Sequence, residues 1–179
     1  FADQGGEVHL ILGVGAVKPE NPSIKIYPVR SAEEMYQATS NLHKEMDICV
    51  FAAAVADYAP KHVASEKIKK EGDGMTIELV KNIDIAYTLG KNKAPSQIHV
   101  GFALETENEE FHAKTKLQKK NFDLIVLNSM RDAGAGFQLD TNKVRIFTED
   151  GKSHESAVLP KDQIAQMILR EIKNLPVKI

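Results

Sequence analysis

The sequence has no tryptophan, a single cysteine in 179 residues, and no excess of either charge, with 23 basic residues facing 25 acidic ones. Each scarcity removes a class of function. One cysteine supports neither a disulfide framework nor a cysteine-based metal cluster, and Cys49, inside the apolar run ICVFAA, reads as a small buried hydrophobe. A near-neutral chain lacks the basic excess of a general nucleic-acid binder. No apolar run approaches the roughly 20 residues that span a bilayer, and no basic segment followed by an apolar one opens the chain. The expectation is a cytoplasmic protein with neither nucleic acid nor membrane as partner.

Familiar signatures are missing as well. There is no GxGxxG opening a helix, no Walker lysine loop, no HExxH and no GxSxG nucleophile elbow. The six histidines are scattered and pair with no carboxylate at metal-ligand spacing, so no protein-borne metal site is expected.

What is present is a chain long enough for one domain, residues 1–179, with a sizeable core. Gly5-Gly6 look like a helix end followed by a strand, with almost no helix before them, which suggests that a first βα unit lies outside the chain. Strands are predicted at Glu7 to Leu12, Ile24 to Val29 and Asp47 to Ala53, the last covered on both faces. Between the latter two, Ser31 and Glu34 form a capping box ahead of the stripe Met35, Ala38, Leu42. Strand, helix, strand at these lengths implies a parallel crossover.

Further on, MTIELV alternates like a half-buried strand, and NIDIAYTLGK reads as a short helix capped by Asn82 or Asp84. SQIHVGFALET and FDLIVLN are core strands on either side of a helix with acids in its first turn and lysines in its last. SMRDAGAGF is a glycine-bearing loop, and NKVRIFTEDGKSHESAV is a hairpin turning at Asp150-Gly151. The chain closes on an amphipathic helix with Ile164, Met167, Ile168, Leu169 and Ile172 on its apolar face. The predicted class is α/β: a Rossmann-like, doubly wound, mostly parallel sheet with an added antiparallel element.

Ligands of such sheets bind at the carboxyl ends of the strands. Three strands end there in small or polar residues, AAAVADY, GFALET and VLNS, which lets a ligand reach the backbone. The loop EKIKK sets Lys67, Lys69 and Lys70 around one apolar residue, a pattern suited to phosphate but equally common in solvated loops.

In order, AAAVADYAP, EKIKK, LVKNIDI, GFALETE, KLQKKNFDLIVLN, GFQLDTNKVRIFTEDG and LPKDQIAQMIL resemble the phosphopantothenoylcysteine synthetase family, collinearly from Phe1 to Leu175. The resemblance implies a dimeric ligase of coenzyme A biosynthesis. Such a ligase uses CTP and Mg²⁺ to activate 4'-phosphopantothenate as an acyl-cytidylate, which the amine of L-cysteine then attacks. It implies that Gly101, Phe102 and Ala103 recognise the nucleotide through backbone, and that Lys116 meets its phosphates. Asn128, Phe147 and Lys161 are implied as further nucleotide contacts. EKIKK is implied as a closing loop, and Ala54, Asp57 and Tyr58 as the wall beside the acyl-transfer centre.

Family members begin with a strand, a GGT-like turn and a segment supplying phosphate-binding amides, and none of these is in this chain. The expectation is therefore a synthetase domain without its first strand and phosphate loop, inactive by itself, without FMN, and related to proteins that carry a fused decarboxylase. Two rival readings stand beside it: a generic Rossmann-like nucleotide-binding oxidoreductase or transferase, and a nonenzymatic dimerisation module built on MTIELV and the hairpin. The sequence does not decide CTP against ATP.

Overall fold

A computed structural model describes residues 1–69, 72–129 and 139–176. After a turn of 3-10 helix at Ala2–Gln4, strand β1 (Val8–Leu12) pairs in parallel with β2 (Ile24–Pro28). Helix α1 (Ala32–His43) begins at Ser31, whose hydroxyl accepts the Glu34 N–H at 3.1 Å, while the Glu34 carboxylate accepts the Arg30 N–H at 2.6 Å. The capping box thus reaches back one residue further than the usual reciprocal pair.

Strand β3 (Ile48–Phe51) follows, then β4 (Tyr58–Pro60), paired antiparallel with β5 (Leu79–Lys81). Helix α2 (Ile85–Gly90) is capped by Asp84, whose carboxylate accepts the Tyr87 N–H. Strand β6 (Ile98–Glu105), helix α3 (Glu109–Lys119) and strand β7 (Leu124–Ser129) complete the parallel part. Then come β8 (Thr141–Asn142), β9 (Val144–Thr148), β10 (Ser153–Glu155), β11 (Leu159–Pro160) and helix α4 (Lys161–Lys173).

Among the described residues the main sheet has the order β10-β9-β7-β6-β3. Its strands β3, β6 and β7 are parallel, and β9 and β10 extend one edge antiparallel, turning at Gly151 with φ 85°. This is the predicted α/β layout with an antiparallel addition. The pair β1–β2 stands as its own small sheet, and β3 is an edge strand rather than one covered on both faces: Val50 is 42% exposed.

Alternation along β7 assigns the two faces. Ile125 and Leu127 point to the layer of α3, where Ala113 and Leu117 meet Phe122 and Phe147. Leu124 and Val126 point to α4, against Ile164, Ile168 and Ile172. Leu169, predicted on the apolar face of α4, is only partly buried.

The stretch 75–80 departs from its pattern. Only Leu79–Lys81 is a strand, and Met75, Ile77, Leu79 and Val80 are all exposed. Alternation marks which residues share a face, and along this stretch no layer of the described chain covers either face.

Candidate functional site

The register fixes what meets at the carboxyl edge of the parallel strands. Phe51 sits opposite Gly101, Leu104 opposite Asn128, and Glu105 opposite Ser129. From Phe51 the chain passes through Ala52, Ala53 and Ala54, all exposed, to the equally exposed Asp57 and Tyr58. This segment is fastened at its far end by Asn82. The Asn82 side-chain amide donates to the Ala56 carbonyl at 2.9 Å, and its backbone N–H donates to the Asp57 carbonyl at 2.8 Å.

Lys116 comes to the same edge. It lies in the last turn of α3, and helical side chains lean toward the helix N-terminus. Its ammonium donates to Glu105 Oε1 at 2.5 Å, at the tip of β6. Glu105 is mostly buried while Lys116 keeps 42% of its side chain exposed, so the carboxylate aims a lysine that a ligand can still reach. Glu105 belongs to the GFALETE block but carries no sequence signal as a lysine partner eleven residues away. Asn142, likewise missed, donates through Nδ2 to Asn128 Oδ1 at 3.1 Å and ties β8 to the end of β7.

Other predicted residues lie elsewhere. Gly101 and Ala103 are buried within β6, and an added Cβ at Gly101 would lie 2.1 Å from the Phe122 ring. The space at this glycine is filled by the protein's own core. Phe102 is partly buried against the α4 cluster. The Phe147 ring is 2% exposed inside the α3 layer, with the Lys114 ammonium 5.2 Å from its centroid. Lys161 opens α4, its N–H donating to the Asp140 carbonyl at 3.0 Å. Lys67 and Lys69 are exposed; Lys70 and most of the loop SMRDAGAGF fall outside the described residues.

Below the strands the site rests on a buried ion pair. Lys93 and Asp123 are 4% and 2% exposed, the Lys93 ammonium donates to both Asp123 oxygens, and Asp123 Oδ2 also accepts the His99 N–H at 2.6 Å. Pinning the start of β6 to β7 in this way holds the register that aligns their carboxyl ends.

Among the described residues this edge offers no group of three carboxylate, histidine or cysteine ligands, and Glu105 is committed to Lys116. The geometry suits a polyanion carried in with its own counter-cation: one aimed ammonium, exposed backbone along an alanine run, and neutral amide side chains.

Comparison with known proteins gives four findings. The family described as "DNA/pantothenate metabolism flavoprotein C-terminal domain" matches residues 1–175. A "Cysteine/Cysteine sulfinic acid decarboxylase" from an unknown prokaryotic organism is 42% identical over 97% of this chain and 48% of that protein. The "Coenzyme A biosynthesis bifunctional protein CoaBC" of Bacillus subtilis is also 42% identical, over 96% of this chain and 42% of its own length. The chain thus spans less than half the length of these relatives. A crystal structure of the C-terminal domain of a CoaBC protein superposes with a TM-score of 0.78 at 34% identity, covering 96% of this chain and 75% of that one.

Proposed function

The chain belongs to the family of DNA/pantothenate metabolism flavoprotein C-terminal domains, and from that premise we propose that it is the ligase domain joining 4'-phosphopantothenate to L-cysteine. The observation that carries the reading is the aimed lysine at the carboxyl edge: Lys116, held by Glu105, at the end of the strands where β3 runs out into the alanines and β7 into Asn128. It is supported by the family match and by the name of the CoaBC relatives, which are coenzyme A biosynthesis proteins.

In this reading the pantothenate carboxylate attacks the α-phosphorus of CTP, and pyrophosphate leaves. The cysteine amine then attacks the acyl-cytidylate carbonyl, releasing CMP and one proton. The chain contributes by holding the partners close and by offsetting phosphate charge. Lys116 binds phosphate oxygens, and Glu105 keeps it in place between turnovers. Gly101, Phe102 and Ala103 back the nucleotide subsite through their backbone alone, the side chains of Phe102 and Ala103 being turned into the core; Asn128 and Lys161 border it, and Phe147 supports it from inside the α3 layer rather than by contact with the ligand. Ala54, Asp57 and Tyr58 form the acyl wall, and the alanines leave room for the activated carboxyl between sheet and loop. Lys67 and Lys69, both exposed, close over it. Mg²⁺ fits this edge as a companion of the nucleotide, held by phosphate oxygens and water, because the described protein donors make no cage for it.

We assign the protein to the cytoplasm and to homodimers formed along the exposed ribbon Met75, Ile77, Leu79, Val80. The decarboxylase activity in the name of one relative we place in the portion of that protein this chain does not cover. The decisive experiment uses the full-length protein: calorimetry with CTP, ATP and NAD, and pyrophosphate release with phosphopantothenate and cysteine. CTP binding with cysteine-dependent pyrophosphate release, reduced about 100-fold or more by Lys116→Gln, supports the ligase. Binding of NAD with neither CTP nor ATP would overturn it in favour of an oxidoreductase.

A further inference from the structure

Three soft ligand groups meet near the amino-terminal end of the parallel strands, away from Glu105 and Lys116. His43 ends α1, Cys49 is the second residue of β3 and His99 the second of β6. Cys49 and His99 are direct partners in the parallel ladder, so their side chains leave the same face of the sheet. His43 Nε2 lies 3.0 Å from His99 Nε2, and one ligand atom from each of the three side chains falls within 4.8 Å of the other two. Both imidazoles are buried, and the cysteine is half-buried.

We propose that His43, Cys49 and His99 form a binding site for a zinc-class transition-metal cation, separate from the nucleotide edge. Imidazole nitrogen and thiolate sulfur are both donors that zinc takes, and a site with three protein ligands leaves a fourth position for water. The same set is unsuited to Mg²⁺ or Ca²⁺, which take oxygen ligands. Zinc–nitrogen bonds of about 2.0–2.1 Å and a zinc–sulfur bond of about 2.3 Å place tetrahedral ligand atoms roughly 3.3–3.6 Å apart. The two nitrogens, 3.0 Å apart, already approach that spacing, and the sulfur, within 4.8 Å of a nitrogen of each ring, is brought in by side-chain rotation.

The walls of the site are built to hold their positions. Gln97 Nε2 donates to the His43 carbonyl at 2.6 Å and to the Met46 carbonyl at 2.8 Å, which fixes the end of α1. The His99 N–H is held by Asp123, which is held by Lys93. The rings of His43 and Phe51 stand edge-on to His99 at centroid distances of 5.0 and 5.3 Å. The protons balance simply. In the metal-free state one imidazole Nε2–H donates to the other Nε2; on binding, that proton moves to the ring's Nδ1, both Nε2 lone pairs turn to the cation, and the Cys49 thiol releases its proton to solvent as the sulfur–metal bond forms.

The test uses the chain stripped of metal with a chelator and titrated with Co²⁺, then with Zn²⁺. The expected result is one Co²⁺ per chain with a thiolate-to-cobalt charge-transfer band, displaced by Zn²⁺. Cys49→Ser should remove that band, and His43→Gln should weaken Zn²⁺ binding by more than the roughly 10- to 100-fold that outer partners of a metal site command. Because Cys49 is the single cysteine of the chain, Zn²⁺ should also slow its alkylation in the unmodified protein, a readout that needs no variant to fold. Cobalt bound without a thiolate band, substoichiometric binding, or an alkylation rate indifferent to Zn²⁺ overturns the proposal.

Discussion

Gly101 is kept a glycine by a neighbour. The Phe122 ring occupies the place where its Cβ would stand, and Phe122 itself is 4% exposed, so the ring has nowhere to retreat. Gly101→Ala should therefore cost about 1–3 kcal/mol through overpacking, read as a lowered urea midpoint with an unchanged slope. Read as a run of letters, GFALET says only that bulk is absent at the end of a strand. Whether the absence serves a ligand or a ring depends on Phe122, twenty-one residues away and visible only once β6 and β7 are side by side. The same distance hid the converging trio. Cys49 read as an isolated hydrophobe and His43 and His99 as scattered, because α1, β3 and β6 bring them together and no local spacing does. Glu105 went unnoticed because nothing in its motif names a partner on α3.

Elements were easier to read, since their signals repeat. The 3.6-residue period of α4 places Ile164, Ile168 and Ile172 on one face, and all three are buried against β6, β7 and β9. Ile168→Ala should lower stability by about 2–5 kcal/mol, measured by thermal or denaturant unfolding. Helix α2 was legible from its cap, although only the structure chose Asp84 over Asn82. Asp84 is pushed up by partial burial, and outweighing that, the Tyr87 N–H and the Lys120 ammonium draw its carboxyl below the ordinary aspartate value of 3.8. A depressed folded value means that the stabilisation is present above 3.8 and is lost as pH falls through the lower folded value. Amide protection in α2 should hold steady down to pH 3.8 and fail below it, and Asp84→Asn should flatten that dependence. The stretch 75–80 resisted reading because alternation reports amphipathicity, and what covers an apolar face is a fact about packing.

For the molecule as a whole, the uncovered apolar strip on the β4–β5 ribbon bears on assembly. If homodimers form there, Ile77→Asp should shift sedimentation from dimer to monomer while leaving far-UV circular dichroism unchanged; a dimer that survives would move the interface elsewhere. The sheet's parallel centre and antiparallel edge followed from strand and helix lengths, whereas the separation of β1–β2 from the main sheet had no sequence signature.

The Asn82 clasp has a mechanical consequence. The residues between Phe51 and Tyr58 form a beam with a fixed support at each end, the ladder of β3 at one and the two Asn82 hydrogen bonds at the other. A beam so mounted can bow but cannot slide, and its supports do not depend on the exposed stretch 61–69 being continuous. Protease nicking within that stretch should leave two fragments that co-elute on gel filtration, held by the β3–β6 ladder, whereas Asn82→Ala should let the nicked pair separate at lower denaturant concentration.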